Sequence, residues 1–157
     1  MKPGTFSQIY IQVVFAVKGR HSLIKPYWET DLYKYITGIV QGKGQKMLAI
    51  NGTENHIHFL IGLKPSCKIS NLVREIKKSS NVFVKENKFT KFKFEWQEGY
   101  GVFSYSHSSL NNVIAYINNQ KEHHKKTTFK KEYLEFLKKF DLGYDDKFLF
   151  DLNDIDK

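Results

Sequence analysis

Cysteine is almost missing from this sequence: Cys67 stands alone. No intramolecular disulfide framework can form, and a single thiol suits a reducing cytoplasm. Long apolar runs are missing as well. No stretch approaches the roughly twenty consecutive apolar residues of a membrane span, so no membrane partner is expected. Met1-Lys2-Pro3-Gly4 opens no secretory signal pattern. Internal repeats and low-complexity linkers are absent. Acidic side chains are scarce over most of the chain, since six of the 16 Asp and Glu are Asp residues from Asp141 onward. The first 140 residues hold 23 basic against 10 acidic side chains, a net of +13.

What is present points to one domain, 1–157, whose last stretch, 141–157, is an acidic tail. Hydrophobic residues make up 41%, with 13 Phe and 9 Tyr, enough for a real core and too many for a disordered chain. The tail carries Tyr144, Phe148 and Phe150 and is expected to dock partly through them. A basic, aromatic-rich body suits a polyanion, with nucleic acid the first choice. Basic surfaces also serve solubility alone.

Periodicity divides the chain into elements. Ile9 to Val17 is nearly continuous apolar and β-branched, the pattern of a central strand buried on both faces. Pro26 opens a helix whose apolar face is Trp28, Leu32, Tyr35, Ile36, Ile39 and Val40, and Gly42 and Gly44 end it. Gln45 to Ile50 and His56 to Ile61 read as two strands of a hairpin turned around Gly52. A second helix runs from about Ile69 to Glu86, with Ile69, Leu72, Val73, Ile76 and Phe83 inward. Ser79 and Ser80 are expected to interrupt it. Arg74, Lys77, Lys78, Asn81 and Lys85 share another face, which serves either as solvated surface or as a set of phosphate contacts. Gly99 to Gly101 is a turn flanked by extended chain. Ser108 or Ser109 caps a third helix with Leu110, Val113, Ile114 and Ile117 inward. Phe129 to Phe140 is a short fourth helix with Tyr133, Phe136, Leu137 and Phe140 inward.

The order β-α-β-β-α-β followed by two helices predicts an α+β fold. A ferredoxin-like antiparallel sheet would have its first two helices on one face, with the second face free. On the histidine strand, alternate residues share a face. Ile57, Phe59 and Ile61 then point to the helices, while His56 and His58 point to the free face. Two imidazoles side by side on a strand can reach one metal ion. Taken alone, they more readily describe a half-buried strand with two histidines toward solvent.

His56-Ile57-His58 resembles the HUH motif, two histidines around a bulky apolar residue. Tyr116-Ile117-Asn118-Asn119-Gln120 resembles the tyrosine helix of the single-tyrosine HUH transposases of small bacterial insertion sequences. The resemblance extends through Val14-Phe15, Lys18-Gly19-Arg20, Lys78-Ser79-Ser80 and Trp96-Gln97-Glu98-Gly99-Tyr100-Gly101. It ends in Tyr144-Asp145-Asp146-Lys147-Phe148-Leu149-Phe150. One departure stands out, for the family usually carries an acidic residue where this chain has Asn55.

The resemblance implies a metal-dependent enzyme that cleaves and rejoins single-stranded DNA at hairpins of element ends through a 5′-phosphotyrosine. Tyr116 would be the nucleophile, and the C-terminal helices would carry it. His56, His58 and Gln120 would hold Mg2+ or Mn2+; His123 and His124, on the next turn, serve either as DNA phosphate contacts or as caps of the helix end and are read outside the metal site. Lys18, Arg20, Arg74, Lys77 and Lys78 are the candidate DNA contacts. The resemblance also implies a homodimer in which the tyrosine helix can complete the partner's site. Two other functions fit the same fold: a non-catalytic nucleic-acid-binding module, and a host-resident relative acting on chromosomal repeat hairpins.

Overall fold

The apolar run near the N-terminus becomes strand β1 (Tyr10–Ala16), which lies inside the sheet with a strand on either side. The computed structural model describes residues 3–19 and 23–144. Arg20 and the tail from Asp145 onward, including most of the expected aromatic docking segment, lie outside the described residues.

Four strands, β1 with β2 (Lys46–Gly52), β3 (His56–Gly62) and β4 (Gly101–Tyr105), form one antiparallel sheet in the order β2-β3-β1-β4. Helices α1 (Pro26–Gly42) and α2 (Ile69–Glu86) complete the ferredoxin-like βαββαβ unit. Pro26 sits at the first turn of α1, where its missing N–H costs nothing. The α1 stripe Trp28, Leu32, Ile36 and Val40 is buried with Phe15, Ile57 and Phe59 in one core.

Register fixes the two faces of the sheet. His56 lies opposite Ala16 and His58 opposite Val14, with Asn51 across on β2. These residues, together with Gln12, Leu60 and Phe103, share one face, and Ile57 and Phe59 join Phe15 and Val13 on the other.

That histidine face is not open, as the sequence suggested. Helix α3 (Leu110–Asn118) packs Val113 and Ile117 against Ala49 and Leu60. The short helix α4 (Gln120–His123) follows a break at Asn119, and α5 (Phe129–Lys139) adds Phe129, Tyr133, Phe136 and Leu137 to the core. The physical reason is the sheet itself. Val14, Ala16, Leu60 and Phe103 make its second face too apolar to leave in water, so the C-terminal helices cover it.

Two local expectations change. Ser79 and Ser80 do not interrupt α2, which is continuous. Ser80 is buried and accepts the Trp96 indole N–H at 2.9 Å, while Ser79 donates to Glu75 Oε1 at 2.9 Å. Ser109 makes no capping bond to α3, which is entered instead through a single 3-10 turn, His107–Ser109. Among the described residues no helix is long and apolar enough to cross a membrane.

The hairpin leaves no room at its turn. A Cβ on Gly52 would overlap the His56 carbonyl oxygen and lie 2.9 Å from Ile57 Cα, whereas a Cβ on Gly38 in α1 meets nothing within 4 Å. Gly52→Ala should destabilise by about 1–3 kcal/mol, as overpacking does. Gly38→Ala should stabilise by up to about 1 kcal/mol through helix propensity. Thermal unfolding of both variants checks the opposite signs.

Candidate active site

Strand β3 delivers His56 and His58 with ring centroids 5.1 Å apart, both fully buried. Tyr116 comes from α3, Gln120 from α4 and Glu132 from α5. Tyr116 and Gln120 are one turn apart across the Asn119 break. Asn51, opposite His58 in the sheet, bridges that break: its amide donates to the carbonyls of Ile117 and Asn118 at 3.0 and 3.1 Å. Lys121 in turn donates to Asn51 Oδ1 at 2.9 Å. The tyrosine helix is thus fastened to the hairpin of its own chain.

Glu132 is the convergence point. Its Oε2 accepts from the Tyr116 hydroxyl, and from the Gln120 amide at 3.1 Å. Its Oε1 accepts from His58 Nε2 at 2.9 Å and lies 3.4 Å from His56 Nε2 and 3.0 Å from His124 Nε2. His123 Nε2 is 3.4 Å from Oε2. The ligand atoms of His56, His58, His124 and Glu132 all lie within 4.8 Å of one another.

The electrostatics follow from burial. Burial works to raise the Glu132 pKa, but the surrounding imidazoles, His58 foremost, outweigh it and hold the carboxyl well below the usual range. Burial, then the Glu132 charge and hydrogen bond, push the Tyr116 hydroxyl far up, so it is protonated and needs an acceptor before it can attack. Burial lowers His56 from 6.5 to about 4, so its ring is neutral at pH 7.

Proton positions on the histidines can be read from their neighbours. His56 Nδ1 donates to Asn55 Oδ1 at 2.6 Å, with Thr53 Oγ1 at 3.0 Å, while the Thr53 hydroxyl donates to the same Asn55 oxygen. The neutral ring therefore turns a bare Nε2 lone pair toward Gln120 Oε1 at 3.1 Å and Glu132 Oε1 at 3.4 Å. Three lone-pair atoms facing one another form a donor set suited to a cation. Asn55, in the place of the family's acidic residue, still supplies the oxygen that fixes this tautomer.

A cavity of about 280 Å³ opens beside the site and is lined by Tyr105, Tyr116, His123, Glu132, Phe136 and Lys139 among others. It reaches the tyrosine. The two histidines lie behind Glu132, with Phe129 stacked on His56 at 4.1 Å.

The basic candidates lie elsewhere. Arg74 and Lys78 are exposed and line a groove with Tyr100 and Asn81. Lys18 is exposed, 3.8 Å from Glu95. Lys77 is different: its ammonium donates to the carbonyls of Gln97 and Gly99 at 2.8 and 2.6 Å, and burial lowers its pKa to about 8. It holds the 97–99 loop.

Glu132 and His124 complete the cluster, and the sequence reading assigned neither to it. Glu132 left a signal. It sits on the α5 stripe between Phe129 and Phe136, and a charge on an inward stripe must find partners.

Residues 5–120 match the family described as "Transposase IS200 like". No curated protein matches the sequence. Among solved structures, a candidate transposase from Deinococcus radiodurans R1 superposes with a TM-score of 0.60 at 20% identity, covering 76% of this chain and 96% of that one. A REP-associated tyrosine transposase bound to a REP hairpin superposes with a TM-score of 0.55 at 17% identity, covering 79% of this chain and 74% of that one.

The low His56 pKa has a sign in stability. The unfolded chain takes up this proton near 6.5 and the folded chain only near 4. Stability without metal should therefore fall as pH falls through that window, by roughly 3 kcal/mol in full. Glu132, held low in the fold, adds loss below the usual carboxylate range. Urea unfolding of chelator-treated protein across these pH values should show the slope, and His56→Gln should flatten its upper part.

Proposed function

The chain belongs to the IS200-like transposase family, and from that premise we propose that it cleaves and rejoins single-stranded DNA beside hairpins, with Tyr116 as nucleophile. One observation carries this reading. A buried carboxylate gathers the tyrosine hydroxyl and the histidine pair at one point within a single chain.

The donor set fits a divalent cation. His56, His58, Glu132 and Gln120 would hold it, with His124 in reach. Mixed nitrogen and oxygen donors suit Mn2+ better than Mg2+, which favours oxygen and water. When bound, the cation would polarise a phosphate oxygen.

The chain's own residues do the rest. Tyr116 Oη forms a bond to the scissile phosphorus, the bond from phosphorus to the 3′ oxygen breaks, and the 3′ oxygen leaves as a hydroxyl, taking up in net the proton that Tyr116 gives up. Glu132 Oε2, already accepting the tyrosine hydrogen bond, is the acceptor in reach for its proton. The 5′-phosphotyrosine conserves the ester, so a second 3′ hydroxyl can attack, rejoin the strand and restore Tyr116. Substrate reaches Tyr116 from the cavity, and contact with the histidines requires α5 to shift.

DNA hairpins at the ends of an insertion sequence are the proposed partner. The neighbour solved with a REP hairpin supports this, as does the exposed basic pair Arg74 and Lys78. Lys18, just after β1, would add a contact, and Arg20, outside the described residues, is a further candidate. Lys77 contributes through the loop it holds. A homodimer, as the resemblance implies, would carry two complete sites, each with its own tyrosine.

The test is incubation of labelled single-stranded element ends with the protein and Mn2+ or Mg2+. Wild type should form a covalent adduct on a denaturing gel, Tyr116→Phe should form none while staying folded, and chelator should abolish it. Mixing Tyr116→Phe with His56→Ala protein under subunit exchange should restore nothing, and an adduct there would place the tyrosine in the partner's site.

Binding has a separate signature. Arg74→Gln or Lys78→Gln should each lower the log–log salt slope by roughly 1 for one lost phosphate contact. Lys77→Gln should lower the melting temperature. Salt-series binding curves and thermal melts separate these outcomes.

A further inference from the structure

Within β1, the run Ile11 to Ala16 contains a single polar side chain, Gln12, and it is fully buried. It stands on the histidine face between two groups. Its amide nitrogen donates to His58 Nδ1 at 2.8 Å, and its oxygen accepts from the Tyr105 hydroxyl at 2.8 Å. With Nδ1 accepting, a neutral His58 carries its proton on Nε2, which donates to Glu132 Oε1 at 2.9 Å. The result is a directed chain: Tyr105 to Gln12 to His58 to Glu132.

This direction is the wrong one for a ligand. A metal-bound imidazole needs a bare Nε2 and a proton on Nδ1. His56 is already in that form, because Asn55 Oδ1 accepts from its Nδ1. His58 is not. Reversal needs the Gln12 amide to turn over, presenting its oxygen to His58 and its nitrogen to Tyr105, while the ring gives its Nε2 proton to solvent and takes one from solvent on Nδ1, with no net change in protons. Both ends tolerate it. An amide offers a donor and an acceptor, and a phenol hydroxyl can be either. Tyr105 lines the cavity beside the site, where its hydroxyl, no longer donating to Gln12, can donate to water or ligand instead.

We propose that Gln12 is a positioning residue whose amide orientation decides which ring nitrogen of His58 carries the proton, and that loading a divalent cation turns that amide over. The proposal rests on the reading of His58 as a metal ligand. The two histidines are then unequal: Asn55 presets one, and Gln12 makes the other reversible.

Nitrogen-15 NMR of the imidazoles tests the tautomer directly. In chelator-treated wild type, His58 should carry its proton on Nε2, and diamagnetic Mg2+ should move it to Nδ1. Gln12→Glu, whose ionised carboxylate can only accept, should show the Nδ1 proton with no cation present. By calorimetry with Mn2+, Gln12→Met should bind about 10–100-fold more weakly, the usual loss for such a partner, and Gln12→Glu should bind at least as tightly as wild type. An Nδ1 proton in metal-free wild type overturns the proposal. So does the same tautomer in wild type and Gln12→Glu, or equal Mn2+ affinity in wild type and Gln12→Met. Wild type that binds neither cation overturns the metal reading and the loading step together. The tautomer comparison between wild type and Gln12→Glu is decided separately.

Discussion

An ionised carboxylate almost without solvent contact is the constraint on which the rest of this structure depends. Glu132 is 1% exposed. Leaving such a charge uncompensated would cost several kcal/mol, so the neighbourhood is built to compensate it. Imidazoles come from β3 and from the turn after α4, a phenol from α3 and an amide from α4. Each helix over the sheet's second face is therefore tied to the same atom pair. The packing of α5 and the chemistry of the site are one problem, and neither can be altered without the other.

The histidine strand, the apolar central strand and the first two helices were legible because each has one dominant period. Alternation on His56 to Ile61 gave the facing of both histidines correctly. What periodicity cannot give is where an inward stripe is directed. The stripes of α3 and α5 were visible, but not that they would roof the histidine face. Glu132 was missed because its partners lie on four other segments, as far as 76 positions away at His56, and no local pattern carries such a pairing. Gln12 was missed for the opposite reason, since one amide does not disturb the reading of a buried strand.

The family match covers residues 5–120, so it includes both histidines, Tyr116 and Gln120 but ends before α5. His124 and Glu132 lie beyond it. The shared part supplies the sheet and the tyrosine helix. The helix that closes the site is argued from this chain's own packing. Within this chain the same helix sets Glu132 between Tyr116 and the histidines, whereas the resemblance implies that the tyrosine helix can complete the partner's site.

The register of β3 has a consequence for how this sequence can vary. His56 pairs with Ala16 on one side, and His58 with Val14 on one side and Asn51 on the other, so the strand is locked between two neighbours. Side chains alternate, and a slip of one residue exchanges the faces. An insertion or deletion of one residue between Gly52 and Asn55 would bury imidazoles among Trp28 and Phe15 and send Ile57 and Phe59 into the site. The length of that turn is thus as much a part of the candidate site as any side chain it carries.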